Sequence, residues 1–313
     1  MGKVFVGMKK KLSLSIGIPA YNEEKNISHL LSSIISQRRG NYSLESIVVA
    51  CDASKDNTKE IVQKYQKKYK VIKLIDGKIR IGKSERIKGF YKLNKSDILI
   101  TLDGDIALAN NNFINEILTL FKDEKVGLVG AKDLPCTPQN LFEKIAFVAN
   151  QIWFETRKDL MGGDSLHNCH ACALAIRKEV SKKIHIPNGL IADDDYIYFK
   201  TLEAGYRFKF ATDTIVYFRL PNNPTDYLIQ SSRFLKLKNF IANNLGDWVY
   251  SYYKVPAKYK IKGLCTMFLK EPLFTPLAII LEIASRLVRA QSVENRPKGL
   301  WTPVKSTKII YAK

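Results

Sequence analysis

Short apolar runs and amphipathic stretches alternate along the first part of the chain. "LSIGIPA" (14 to 20), "SIVVACD" (46 to 52), "VIKLI" (71 to 75) and "DILITLD" (97 to 103) are dominated by branched apolar residues and predict strands. Between them, "NEEKNISHLLSSIISQ" (22 to 37), "NTKEIVQKYQKKY" (57 to 69) and "KSERIKGFYKLN" (83 to 94) predict helices, the first capped by Asn22. Strands alternating with helices at this pitch imply an α/β fold with a doubly wound, mainly parallel sheet. In such sheets ligands bind beyond the carboxyl ends of the strands, where "IPAYNEE", "ACDAS" and "LDGD" stand.

After Asp133 the pattern is less regular. A long helical stretch, "QNLFEKIAFVANQIWFETRKDL" (139 to 160), leads to the turn "MGGDS" and then to "HNCHACALAI". "IADDDYIYFKTLEAGYRFKFATDTIVYF" (191 to 218) precedes a basic, aromatic C-terminal third. There is no repeat and no low-complexity linker, so the expected organisation is one catalytic-type domain, 1–220, with a helical extension, 221–313. No run of 18 apolar residues predicts a transmembrane helix; the nearest stretch, "KEPLFTPLAIILEIASRLVR" (270 to 289), is broken by two prolines and Glu282. Within it Leu277, Ile280, Leu281, Ala284 and Leu287 share one helical face, and Glu282, Ser285, Arg286 and Arg289 fall away from it. That helix should lie on something, either the protein's own core or a membrane surface.

Composition narrows the classes. A content of 46% hydrophobic residues excludes disorder, and 313 residues can bury a full core. With 50 Lys+Arg against 30 Asp+Glu, the charge of +20 calls for an anionic partner: nucleic acid, anionic lipid or a phosphorylated small molecule. The lysines are spread along helices, as in "KYQKKYK", without a nucleic-acid-binding motif, so a solvated helix face explains them and no nucleic acid is expected. Five cysteines at irregular spacing, an N-terminus without an apolar signal core, and Val6 where a myristoylation signal wants Ser or Thr predict a reduced, unlipidated, cytoplasmic protein. Lys236, Lys238, Lys254, Lys258, Lys260, Lys262, Lys270, Arg286 and Arg289 accompany Phe234, Phe240, Trp248, Tyr250, Tyr252, Tyr253, Phe268 and Phe274 in the last third. Cations and rings together suit an anionic headgroup layer, so attachment at the inner face of the cell membrane is expected.

The candidate chemistry starts at "ILITLDGDIAL" (98 to 108), a strand running into two aspartates one residue apart. Asp103 and Asp105 can face one crevice and hold a hard divalent cation that neutralises a departing diphosphate, or they can be solvated side chains of an Asp-Gly turn. In "HNCHACAL", His167, Cys169, His170 and Cys172 could bind zinc or form the wall of an acceptor pocket. Asp193, Asp194 and Asp195 precede a helix, where acids can cap the dipole or raise one another's pKa.

In order, "IGIPAYNEEKNI", "VVACDASKDNT", "GKSERIKGF", "ILITLDGD", "IADDDYIYFKTLEAGYRF" and "QSSRF" make residues 12 to 235 resemble the family 2 glycosyltransferases. The resemblance implies a GT-A type nucleotide-diphospho-sugar-binding fold. It puts Pro19, Ala20, Tyr21 and Glu23 at the nucleoside pocket, Asp52 at the base, usually uracil, and Lys83 at nucleotide or phosphate. It implies Asp103 beside ribose and diphosphate, with Asp105 the direct ligand of Mg²⁺ or Mn²⁺. The family spacing, counted eleven places back from Gly205, makes Asp194 the general base, with Asp193 and Asp195 its neighbours on the acceptor side. "QSSRF" resembles Q-x-x-R-W: Arg233 would pair with the diphosphate, Gln230 would help seat acceptor or leaving group, and Phe234 replaces the acceptor-stacking Trp. His170 would join the acceptor wall. The implied function is inverting, metal-dependent transfer from a nucleotide-diphosphate sugar, with a lean to UDP, onto a hydroxyl of a glycan or lipid-linked acceptor. A polyprenyl-phosphate acceptor is the alternative, against which the acid triplet speaks, since a phosphate nucleophile needs no base; a binder without turnover and a nucleic-acid-binding protein are the other classes.

Overall fold

The structure is a computed structural model that describes residues 11–190, 192–234, 237–291, 300 and 302–310. The side chain of Phe234 and those of 289–291 lie outside the described set, as do the N-terminal stretch 1–10 and Lys236, and with them the expectations at Val6, Phe234, Lys236 and Arg289. The strands are β1 (Leu12–Ala20), β2 (Tyr42–Asp52), β3 (Ile72–Gly77), β4 (Ile98–Leu102), β5 (Ala107–Leu108), β6 (Val126–Pro135), β7 (Ala173–Arg177) and β8 (Arg207–Phe218). The helices are α1 (Ile27–Ile35), α2 (Thr58–Lys68), α3 (Lys83–Leu93), α4 (Phe113–Thr119), α5 (Leu141–Arg157), α6 (Lys178–Ser181), α7 (Asp193–Glu203), α8 (Pro224–Ser231), α9 (Leu237–Leu245), α10 (Ala257–Lys270) and α11 (Phe274–Gln291).

One sheet runs in the order β3-β2-β1-β4-β7-β6-β8-β5. Its first four strands are mutually parallel, β6 and β8 are parallel, and β7 runs against both β4 and β6. The strand alternation explains the layering. Leu14, Ile16, Ile18 and Ala20 of β1 face one way and meet Ile27, Leu30, Leu31 and Ile34, the i, i+3, i+4, i+7 face of α1. Gly17 faces the other way and lies under Phe90 of α3, where a Cβ would stand 2.6 Å from the ring. The second layer, built on α3 and α7, buries Ile87, Phe90, Tyr196, Ile197, Tyr198 and Phe199. The expected mainly parallel, doubly wound sheet is thus observed.

One expectation needs correction. Asn22 does not cap the first helix, which begins at Ile27. Asn22 has φ 55° and its side chain accepts the Lys55 N–H at 2.8 Å, so residues 22–26 form a loop knitted to the β2 exit. On α11, of the two supports expected for its apolar face, the protein's own core takes only a part. Thr275, Ala278 and Ser285 are buried, while Leu277, Ile280 and Leu287 are 43%, 62% and 67% exposed, and Leu281 alone of the bulky face packs inward. The cause is close helix packing. α10 and α11 lie on α5 around Val148, Ala149, Met267 and Ala278. Gly263 of α10 sits so near α5 that a Cβ would be 2.3 Å from Thr156 Oγ1 and 2.8 Å from the Ile152 carbonyl. Small residues permit that approach, and the large ones are left outside.

The rings of the extension behave oppositely. Phe240, Tyr250, Tyr252 and Tyr253 pack on the α7 layer, with Trp248 edge-on to Phe199 at 5.2 Å. Phe240 and the three tyrosines are therefore structural, while Trp248 and Phe268 remain 40% and 44% exposed. No helix among the described residues is long and apolar enough to cross a membrane.

Candidate active site

The strand ends of β1, β2 and β4 and the start of α7 converge, as the parallel topology requires. The β1 and β2 exit loops are tied by the Asn22 N–H to Ser54 Oγ (3.1 Å), the Glu23 N–H to Thr58 Oγ1 (2.7 Å) and the Glu24 N–H to Asp56 (3.0 Å). Pro19 and Ala20 end β1, and the Arg80 guanidinium lies over the Tyr21 ring at 4.1 Å. Asp52 ends β2 and uses both carboxylate oxygens. It accepts the N–H groups of Ile81 and Gly82, each at 2.9 Å, and pairs with Arg86 at 2.8 Å. Asp52 therefore shapes the β3–α3 loop beside the pocket, and any contact to a nucleobase would be made alongside these bonds.

Lys83 starts α3 and pairs with Asp103 Oδ1 at 2.5 Å. Burial opposes its charge, but Asp103 and Asp193 outweigh that, and the ammonium is held protonated above the ordinary lysine range. Asp103 moves up, through burial and through Asp105, against the pull of Lys83. Asp105 moves down despite burial because the Lys308 ammonium is 3.0 Å away. Lys308 also contacts Glu23, which burial and Asp105 push up to about 8.

Three acids open α7, and the fold gives each a different setting. Asp193 is buried, is pushed up to about 6 by burial and by Asp194 and Asp103, and its Oδ2 has no hydrogen-bond partner among the described residues. Asp194 is half-buried; its carboxylate takes the Ala171 N–H at 3.3 Å and the Asp195 N–H at 3.0 Å. Asp195 accepts the Tyr253 hydroxyl at 2.6 Å and is pushed up to about 8 by burial and Asp194.

His170 lies beside this group, its Nδ1 2.8 Å from Asp133 Oδ2, while Asp133 Oδ1 takes the buried Arg157 guanidinium at 3.0 Å. Burial opposes the Asp133 charge, yet His170 and Arg157 hold it below the usual carboxylate range. The zinc alternative at 167–172 meets diverging side chains. His167 packs edge-on to Trp153 at 5.3 Å, His170 turns to Asp133, and the Cys169 thiol points to the Asp194 carbonyl at 3.8 Å.

Gln230 lies near the end of α8, and Arg233 follows it with Nη2 donating to the Thr302 carbonyl at 2.7 Å. Arg233 thus anchors the C-terminal segment whose Lys308 reaches Asp105. Sequence reasoning missed Lys308, Asn26, Tyr253 and the Asp133–Arg157 pair. Lys308 is 203 residues from Asp105, and no spacing rule links them. For a divalent cation, the donor set is suitable: Glu23 and Asp105 already converge hard oxygens on one cationic group, with Asp103 two residues away. Among the described residues no three His, Cys, Asp or Glu side chains converge in a ready-made metal cluster.

The eight-stranded, mostly parallel sheet with helices on both faces is of the GT-A type, the fold shared with the solved structures described below. Residues 15–185 match the glycosyl transferase family 2 profile, and the chain belongs to that family. A dolichyl-phosphate beta-glucosyltransferase of Trichomonas vaginalis is 31% identical over 124 residues, 37% of this chain and 38% of the relative. A probable glycosyltransferase of Bacillus subtilis is 32% identical over 128 residues, 40% of this chain and 30% of the relative. The match spans less than half the length of these curated relatives. Among solved structures, a Pyrobaculum calidifontis mannosyltransferase in complex with GDP-Man and Mn²⁺ aligns with a TM-score of 0.59 at 19% identity, covering 90% of this chain and 76% of that one. Staphylococcus aureus TarS 1-349 with UDP-GlcNAc aligns at 0.55 and 17% identity, covering 90% and 91%. At such identities the likeness is one of fold.

Proposed function

We propose that the protein is an inverting glycosyltransferase that moves a sugar from a nucleotide-diphosphate sugar, with UDP the first candidate, to an acceptor hydroxyl. The observation that carries this is the meeting of two acid groups across one lysine: Lys83 pairs with Asp103, just after β4, and donates to the carbonyl of Ala171 at 3.3 Å, the residue whose N–H goes to Asp194 of α7. Donor and acceptor machinery then share one crevice. Asp194, half-buried and bound to no other side chain among the described residues, takes the acceptor proton as the new glycosidic bond forms and the bond to the diphosphate breaks. Lys83 and Arg233 face the departing anion. Asp105, with Asp103 beside it, would hold Mg²⁺ or Mn²⁺, which would supply further positive charge there. Pro19, Ala20, Tyr21, Glu23 and Asp52 border the nucleoside, Gln230 helps seat the leaving group or acceptor, and His170, Asp193, Asp195 and Phe234 border the acceptor.

A lipid-linked acceptor fits the outer face of α10 and α11. Ile261, Leu269, Leu273, Ile280 and Leu287 are exposed there beside exposed Lys258, Lys262 and Lys270. Aliphatic side chains rimmed by cations suit attachment to an anionic leaflet at the cytoplasmic face. A polyprenyl-phosphate acceptor is the second reading, favoured by the same face and by the names of the glucosyltransferase relatives.

The test is a thermal-shift screen of UDP- and GDP-sugars with Mn²⁺, followed by transfer assays with the donor that raises the melting temperature. EDTA and Asp105→Asn should each abolish transfer, because an amide is a poor ligand for a hard cation. Full turnover in chelated enzyme overturns the metal role, and a Tm unmoved by every donor overturns the function.

A further inference from the structure

Segment 302–310 is docked onto the strand-end site. Arg233 holds the Thr302 carbonyl at 2.7 Å, and the Ser306 N–H donates to Asp226 at 2.9 Å. Asn26, fully buried, donates to the Lys308 carbonyl at 2.9 Å and accepts the Ile310 N–H at 3.2 Å. Val304 and Ile310 are buried as well. The backbone on both sides of Lys308 is therefore fixed, and its ammonium enters the site between Glu23 and Asp105. An exposed lysine pair contributes little to stability because side-chain entropy and water compete. Here the chain is pinned by Asn26, and the partner Glu23 is buried.

The position matters because Asp105 is also where a divalent cation would be held. An ammonium and a metal ion cannot occupy one carboxylate edge together, since their charges repel. With a diphosphate present, the ammonium gains a new anionic partner and can give up Asp105. Resting on the glycosyl-transfer reading for the identity of that anion, we propose that Lys308 is a protein-borne cation of the diphosphate site: the docked segment keeps it at Asp105 in the bare enzyme, and metal and nucleotide together draw it from there to the diphosphate. Metal binding is thereby made conditional on nucleotide. The coupling is reciprocal, as any equilibrium linkage must be.

Mn²⁺ binding followed by electron paramagnetic resonance, with and without UDP or GDP, tests this on the full chain. Wild type should bind Mn²⁺ weakly alone and more tightly with nucleotide. Lys308→Met should bind Mn²⁺ alone roughly ten- to hundredfold tighter, the loss of one hydrogen bond between charged groups, yet bind nucleotide with Mn²⁺ more weakly by a similar factor. Lys308→Arg should stay near wild type in both. Equal Mn²⁺ affinity in Lys308→Met and wild type, or nucleotide bound with Mn²⁺ as tightly by Lys308→Met as by wild type, makes Lys308 a fixed part of the fold and overturns the inference while leaving glycosyl transfer standing. Nucleotide binding without Mn²⁺ binding in all three proteins overturns the metal role and the inference with it; absence of nucleotide binding overturns the function first.

Discussion

Replacing Asp194 by asparagine separates the proposed base from its two neighbours with little disturbance of the fold. The single side-chain oxygen of asparagine can keep the Asp195 N–H, now 3.0 Å from Oδ1, and the longer bond from the Ala171 N–H to Oδ2, at 3.3 Å, is lost, a small cost. One charge fewer also relieves the triplet: Asp194 helps to push Asp193 up to about 6 and Asp195 up to about 8, and each pKa unit corresponds to about 1.4 kcal/mol. The melting temperature of Asp194→Asn should therefore hold or rise. Transfer should fall by about 10² to 10⁴, equivalent to roughly 2.7 to 5.5 kcal/mol in the barrier. Donor affinity, measured by calorimetry with Mn²⁺, should stay within about threefold, because the loss falls on the transition state and not on donor binding. Asp193→Asn and Asp195→Asn should cost less, the latter because its carboxylate is committed to Tyr253. An Asp194→Asn enzyme with the wild-type rate refutes the reasoning. A loss seen only in Asp193→Asn moves the base to the buried acid whose Oδ2 has no partner among the described residues.

Three further outcomes follow from the geometry. Asp195 has a folded pKa of about 8 against about 3.9 for an unfolded chain, so the folded state retains a proton that the unfolded state releases. The stability of the wild type relative to Asp195→Asn should decline from about pH 4 to about pH 8 and level above it; a constant gap in chemical denaturation across that range contradicts the assignment. Gly263→Ala should destabilise by about 1 to 3 kcal/mol, since its Cβ meets the Ile152 carbonyl, a backbone atom that cannot yield; an unchanged melt shows that α10 is not so closely seated. Leu277→Asp with Ile280→Asp should abolish sedimentation with anionic liposomes at unchanged Tm, because both side chains are exposed in the free protein and each would contribute roughly 1.5 to 3 kcal/mol on burial. Wild-type protein that stays in the supernatant at low salt removes the membrane proposal.

The N-terminal half was legible because its signals are local. A strand of alternating Leu14, Ile16 and Ile18 has a face by virtue of the pleat, and α1 has one by virtue of its turn. The order of motifs from "IPAYNEE" to "QSSRF" carried the family, which the match over 15–185 supports independently. Asp103, Asp105, Lys83 and Asp193 come together because strand ends in a parallel sheet open on one side, a consequence of topology that the alternation of elements already implies.

Contacts between distant segments were beyond such rules. The apolar periodicity of α11 was real, but its direction depended on how near α10 and α11 could come to α5, which Gly263, Thr275 and Ala278 decide by being small. The aromatic rings around Trp248 looked like an interfacial belt and instead close the α7 layer, one of them donating the hydroxyl that occupies Asp195. Lys308 had no sequence signal at all, because an ammonium finds its carboxylates through space, and Asn26, Asp226 and Arg233 had first to bring the chain back across the sheet. Periodicity is a property of neighbours along the chain and is written in the sequence. Electrostatic pairing depends on distance in space, and only the folded chain brings those charges within reach of one another.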